Sequence, residues 1–404
     1  MCPGTVRQLK DQVENELKSN ILNFWCRHAS DDENGGFFGY ISANLFPDAG
    51  HDKASVLNAR ILWTFSAAYR FYKEKKYLDM AARAFEYFRD NFINREHMGV
   101  YWMLDCTGRP KDTKNQVYAN AFTIYALSEY YHAVGDKCAL ELAISLFGSL
   151  EQHARDKAYG GYLEALAHDW SPLSDVRLSA KDLNAPKSMN THLHILEAYT
   201  NLFRAWKNDV LKESLKSLLE TMMDRIVDNS AWSFRLFFDM NWTPCADITS
   251  YGHDIEGSWL IHEAAEVLGD PVLLGKAEKV AVNMAESVLR NGVDRKHGGI
   301  FNDMHGTKLD DNKDWWPQAE AVVGFLNAWQ LTGRSVFLDE ALKTWKFINK
   351  YIVDRKNGEW HWGVTRDGSQ VTGSEKAGPW KCPYHNSRMC FEVISRAARL
   401  EGGC

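Results

Sequence analysis

The stretch ILWTFSAAYRFY (61–72), the turn KEKK (73–76) and YLDMAARAFEYF (77–88) together outline a helical hairpin. Apolar residues recur at three- and four-residue spacing on both sides of a short polar break, the pattern of two helices packed on one another. The same unit returns four more times. AFTIYALSEYY (121–131) is followed by ALELAISLFGSL (139–150), and HLHILEAYTNLF (192–203) by LKESLKSLLETM (211–222). SWLIHEAAEVL (258–268) precedes LLGKAEKVAVNM (273–284), and AEAVVGFLNAWQL (319–331) precedes FLDEALKTWKFI (337–348). After each second helix comes a Gly- and aromatic-rich stretch with the look of a hairpin turn: MGVYW (98–102), GGYLEA (160–165), SFRLFFD (233–239), GGIFND (298–303) and GEWHWG (358–363).

The chain ends supply a sixth unit. Residues 5–27 are helical in pattern and lead into GGFFGY (35–40), so they behave as a second helix without its first; NSRMCFEVISRAARLE (386–401) is a first helix without its second. Pairing the ends closes the array into a ring. The sequence therefore predicts an all-α fold, an (α/α)6 barrel of six hairpins spanning 1–404 as a single domain, with first helices inside and second helices outside. An open α-solenoid is the alternative.

Bulk composition narrows the function. The chain has 404 residues, 45% of them hydrophobic, with a formal charge of -6 and no basic block, which argues against nucleic acid or an anionic membrane as partner. No apolar run resembles a signal peptide or a membrane span, and the eight cysteines are scattered without a CxxC pair. The expectation is a cytoplasmic protein with reduced thiols, monomeric or homodimeric. Aromatic residues make up 13%, including 15 Trp, which suits a sugar-handling cleft as well as a core.

Polar residues fall at one level of the repeat, where each inner helix begins. They are Arg60, Tyr118, Asn190 with His194, His253 with Glu256, Trp316 with Glu320, and His385. Inner helices of a barrel run in one direction, so these positions should meet at one mouth of the axis, where a ligand pocket is expected. A lone His there is usually a core residue, but three His and an Arg at the same turn of different repeats need compensation for burial. Glu256 lies three residues after His253 and so shares its helix face.

A metal site is disfavoured: His192 and His194 point apart on a helix, and Cys382, His385 and Cys390 lack a fourth nearby ligand. No GxGxxG, P-loop or GxSxG is present, so no cofactor is expected. Three classes remain. A glycoside hydrolase would use two carboxylates, such as Glu256 and Glu320. A scaffold would have no reason to converge ionisable groups. An epimerase or isomerase working through an enediol needs groups that exchange protons near neutrality, as histidines do, and suits this set best.

NARILW (58–63), SMNTHLHILEAYT (188–200), SYGHDIEGSW (250–259), WWPQAEAVVGF (315–325) and WKCPYHNSRMC (380–390) closely resemble the cellobiose 2-epimerase group of the N-acylglucosamine 2-epimerase superfamily. The resemblance runs from about residue 5 to 400, with small departures at Asn58, Ala59, Gly257 and Ser387. It implies cofactor- and metal-free epimerisation at C2 of the reducing-end sugar of a β-1,4-linked disaccharide: cellobiose, lactose or mannobiose. On that reading His253 and His385 exchange acid and base roles, and Glu256 orients His253. Arg60 and His194 stabilise the enediolate. Tyr118, Asn190 and Glu320 hold sugar hydroxyls, and Trp316 and Trp380 offer flat faces to the rings.

Overall fold

The computed structural model describes residues 3–371 and 373–402. Six inner helices, Ser55–Tyr72, Val117–Val134, Met189–Ala205, Tyr251–Leu268, Trp315–Thr332 and Tyr384–Gly402, form a closed ring, each packed on the next and the last packed on the first. They are buried almost all round, the apolar bodies of the helices by their sequence and the polar first turns by the packing of the ring. The outer helices are amphipathic, with only one face in the core: Lys75–Tyr87, Lys137–Ser149, Asp209–Thr221, Pro271–Asn291 and Ser335–Phe347. The sixth outer helix is the N-terminal segment from Pro3 to His28, which packs on the C-terminal inner helix. The two chain ends thus complete one hairpin, and the ring is closed rather than an open solenoid.

Local chemistry sets the breaks. Three inner helices stop at a glycine with positive φ, Gly135, Gly269 and Gly333, the left-handed conformation that releases the chain from a helix. The following outer helices start at side-chain caps where the sequence supplies them: Asp136, Asn208 and Asp270 accept from backbone amides of the first turn. Four outer helices end in a five-residue π turn, such as Phe88–Phe92 and Met222–Ile226, which the sequence pattern did not foretell.

The aromatic-rich stretches do fold back on the ends of the outer helices. Ser30 bridges Phe37, Ile93–Asn94 pairs with Gly99–Val100, and Arg155 bridges Tyr162; Val227–Asp228, Val293 and Val353 repeat the arrangement. Each turn has a positive φ at one level, met by Gly35, Gly160, Gly298 and Gly358 in four repeats and by Met98 and Trp232 in the others. The strand that precedes an inner helix pairs antiparallel with the hairpin of the next unit, as Lys53–Ala54 does with Met103–Leu104 and Ile248–Ser250 with Asp303–His305. These ladders lace the loops together at one mouth of the barrel and fix where each inner helix begins.

The described cysteines, Cys26, Cys106, Cys138, Cys245, Cys382 and Cys390, are free thiols; Cys2 and Cys404 lie outside the described residues. Among the described residues no helix is long and apolar enough to cross a membrane.

Candidate active site

The laced mouth holds a cavity of about 430 Å³. Arg60, Tyr118, Asn190, His194, His253, Glu256, Trp316, Trp380 and His385 all line it. Of the residues singled out in sequence, Glu320 alone stands behind the wall: it is fully enclosed and contacts His385 rather than the cavity. Leu178, Ser179, Ala180, Lys181 and Asp182 also line the cavity, from the connection between Leu166 and Lys187, as do Trp315 and Trp362. Sequence reasoning passed over that connection because a loop carries no periodicity.

Each histidine is held through Nδ1, two by a carboxylate and one by a hydroxyl. His385 Nδ1 lies 2.7 Å from Glu320 Oε1, which fixes the ring and leaves Nε2 for the cavity. His253 Nδ1 lies 2.8 Å from Ser250 Oγ, again leaving Nε2. Trp316 stands between the two, with ring centroids 4.7 Å from His253 and 5.4 Å from His385. His194 Nδ1 meets Glu197 Oε2 at 3.0 Å, and its ring sits edge-on to Tyr118 at 4.9 Å. Burial, helped by His194, pushes His253 down to about 3. Burial, with Arg60 and Arg388 nearby, holds His385 well below the usual histidine range. Both are therefore neutral near pH 7 and can accept a proton.

Beneath the cavity lies a charge cluster centred on Arg388, a residue the sequence reading left out. Its guanidinium bonds Glu197, Glu256, Glu320 and the Tyr384 hydroxyl, and stacks on Trp259 at 4.8 Å. Burial raises Glu197, but Arg388, His194 and Tyr384 outweigh it and hold the carboxyl at about 2. Burial and the neighbouring Glu320 push Glu256 up to about 7 against the pull of Arg388. Glu256 therefore belongs to Arg388 and lies 3.9 Å from His385; it does not orient His253, whose partner is Ser250. The helical spacing was right about the shared face, and a tertiary partner captured the carboxylate. Glu256, Glu320 and His385 also come close enough for one ion, but Arg388 Nη2 already occupies the space between the two carboxylates, and its positive charge repels a cation there.

The walls offer unused polar atoms. Arg60 donates to the Tyr118 hydroxyl at 2.8 Å and packs on Phe122 at 4.3 Å, and its Nε has no partner among the described residues. Asn190 Oδ1 and Glu256 Oε2 are likewise buried and unpartnered. Polar side chains from separate walls, around two histidines and a Trp, suit a small polyhydroxylated ligand.

A sequence model of the family described as N-acylglucosamine 2-epimerase matches residues 36–388. The chain belongs to that family. It is an epimerase, an enzyme of the isomerase class. The epimerase is 45% identical over 389 residues to cellobiose 2-epimerase of Bacteroides fragilis, covering 96% of this chain and 98% of the relative. It is 42% identical over 390 residues to cellobiose 2-epimerase of Ruminococcus albus, at 96% and 99% coverage. Among solved structures, a sugar epimerase from a ruminal bacterium superposes with a TM-score of 0.93 at 41% identity, covering 96% of this chain and 99% of that one. A glycoside hydrolase family 76 mannosidase from Bacteroides thetaiotaomicron shares only the fold, with a TM-score of 0.65 at 13% identity.

The geometry also separates epimerase from hydrolase. A hydrolase needs two carboxylates facing the bond, roughly 5–10 Å apart. Here Glu256 and Glu320 converge on a single Arg388 nitrogen, and Glu320 does not reach the cavity.

Proposed function

We propose that this epimerase inverts C2 of the reducing-end sugar of β-1,4-linked disaccharides, converting cellobiose to 4-O-β-D-glucosyl-D-mannose and lactose to epilactose. The observation that carries the reading is the pair of neutral histidines on different helices, half-buried His253 and buried His385, flanking Trp316 in one cavity. Inversion at a carbon requires proton removal from one face and return to the other, and two groups on separate walls meet that need directly.

The opened sugar lies along Trp316. One histidine takes the C2 proton through Nε2, and the electron pair moves into a cis-enediolate. Arg60, with His194 from the facing helix, stabilises the oxygen charge. The other histidine protonates the opposite face. Glu320 stabilises His385 when it carries a proton, because a carboxylate at 2.7 Å favours the imidazolium. Asn190 and Tyr118 hold hydroxyls, and Trp380, whose ring stands 6.1 Å from Tyr118, covers the second sugar. His194, anchored by Glu197, also assists ring opening. None of these steps requires a metal or a cofactor.

Incubation with cellobiose followed by sugar analysis tests the reading. Glucosyl-mannose is expected; free glucose would establish a hydrolase, and unchanged cellobiose would remove the substrate assignment.

A further inference from the structure

The two histidines have unlike supports. His385 rests on a carboxylate, Glu320, which is itself tied to Arg388. His253 rests on a neutral hydroxyl, Ser250 Oγ at 2.8 Å. A serine hydroxyl both donates and accepts, so it can serve either tautomer of the ring. Behind Ser250 lies a carboxyl. Ser250 and Asp303 are register partners on adjacent antiparallel strands, so their side chains leave the ladder side by side on one face. His253, Ser250 and Asp303 also line one second cavity of about 370 Å³, which adjoins the central one through Asn190, His253 and Trp316.

We propose that Ser250 and Asp303 form a proton relay behind His253, which lets His253 work by switching between its two neutral tautomers. The inference rests on the two-histidine reading above and assigns positioning residues that the reading does not contain.

In the base stroke the C2–H bond breaks, its electron pair enters the enediolate, and the proton binds His253 Nε2. The Nδ1–H bond breaks at the same time, its proton goes to Ser250 Oγ, and the serine's own proton passes to the Asp303 carboxylate. The acid stroke is the reverse. Asp303 exchanges its proton with solvent at the second cavity. An imidazolium at the half-buried His253 would have no carboxylate bonded to it among the described residues, and the relay avoids forming one. The environment of Asp303 suits a proton reservoir. Burial raises it above the ordinary aspartate value, with Asp310 adding to the rise and Ser250 and His305 opposing it. Asp254 and Asp314 sense its charge, and His194 faces His253 across the cavity.

The test compares Ser250→Ala, Ser250→Thr, Asp303→Asn and His253→Asn on cellobiose, reading kcat, KM, the melting temperature and the dependence of kcat on the D2O fraction. Ser250→Ala and Asp303→Asn should each lower kcat about 10- to 100-fold, less than the loss of a whole acid–base group. KM and melting temperature should hold, and the bowed D2O dependence of several protons in flight should flatten. Ser250→Thr should restore both rate and curvature. If the alanine variant does not fold, Asp303→Asn, which preserves shape, carries the comparison. Wild-type kcat in Ser250→Ala and Asp303→Asn, with His253→Asn inactive, overturns the relay and leaves the two-histidine reading standing. A lower kcat with unchanged curvature also overturns it, because Ser250 then only orients the ring. An active His253→Asn overturns both.

Discussion

Replacing Arg388 with methionine removes the one cation shared by Glu197, Glu256 and Glu320 and leaves three buried carboxyls facing one another. Breaking a buried ion pair by deleting one partner costs about 3–5 kcal/mol, and methionine returns part of the packing but none of the charge. For a chain of 404 residues the entropy of unfolding is about 0.8 kcal/mol/K, so the melting temperature should fall by about 4–6 °C. The loss should depend on pH with a definite sign. In the native cluster Arg388 opposes burial, with Glu197 held at about 2 and Glu256 at about 7. Without it Glu256 and Glu320 rise further above their unfolded values, and Glu197 loses part of the depression that stabilises the fold above its unfolded value. A carboxyl raised in the folded state destabilises folding above its unfolded value of about 4.3, and the penalty shrinks as falling pH protonates it. The deficit of Arg388→Met should therefore be larger at pH 8 than at pH 5.5. Melting curves of wild type and variant at both pH values measure it. No loss at pH 8, or an equal loss at both, would refute the claim that this arginine holds the floor of the site.

Three further outcomes follow from the geometry. Glu320→Gln should lower kcat more than Glu256→Gln, because Glu320 is the carboxylate bonded to His385; steady-state rates on cellobiose decide it. Trp380→Ala, in a variant checked for folding, should weaken disaccharides more than monosaccharides, and equal losses on mannose and cellobiose would count against a Trp platform for the second sugar. EDTA should leave activity intact, since the guanidinium of Arg388 fills the place a cation would take; loss of activity restored by a divalent ion would contradict that.

The ring was legible in the sequence because its two kinds of helix obey different rules. Segments such as AFTIYALSEYY are apolar all round and LKESLKSLLETM is apolar on one face, which sorts inner from outer before any contact is known. The cavity wall was legible because Arg60, Tyr118, His194, His253 and His385 recur at one level of a repeat. The layer beneath it was not. Arg388 lies three residues past His385, but an arginine is surface-exposed by default, and only carboxylates from three other helices make its burial tolerable. The partner of His253 was misassigned for a related reason. Glu256 at three residues' spacing is a sound local partner, whereas Ser250 wins because the strand Ile248–Ser250 pairs with Asp303–His305 and delivers its hydroxyl to Nδ1. The π turns at the outer-helix ends have no sequence signature in apolar spacing.

The central claim is that one proton leaves C2 and another returns from the opposite face, both through side chains that exchange with water. Epimerisation of cellobiose in D2O, stopped at low conversion and read by proton NMR and mass, tests it most directly. The account predicts glucosyl-mannose carrying one solvent deuterium at C2, and no such product from His253→Asn or His385→Asn. Epimerised product that retains its original hydrogen at C2 would contradict it and point to an internal hydrogen shift or to oxidation at another carbon.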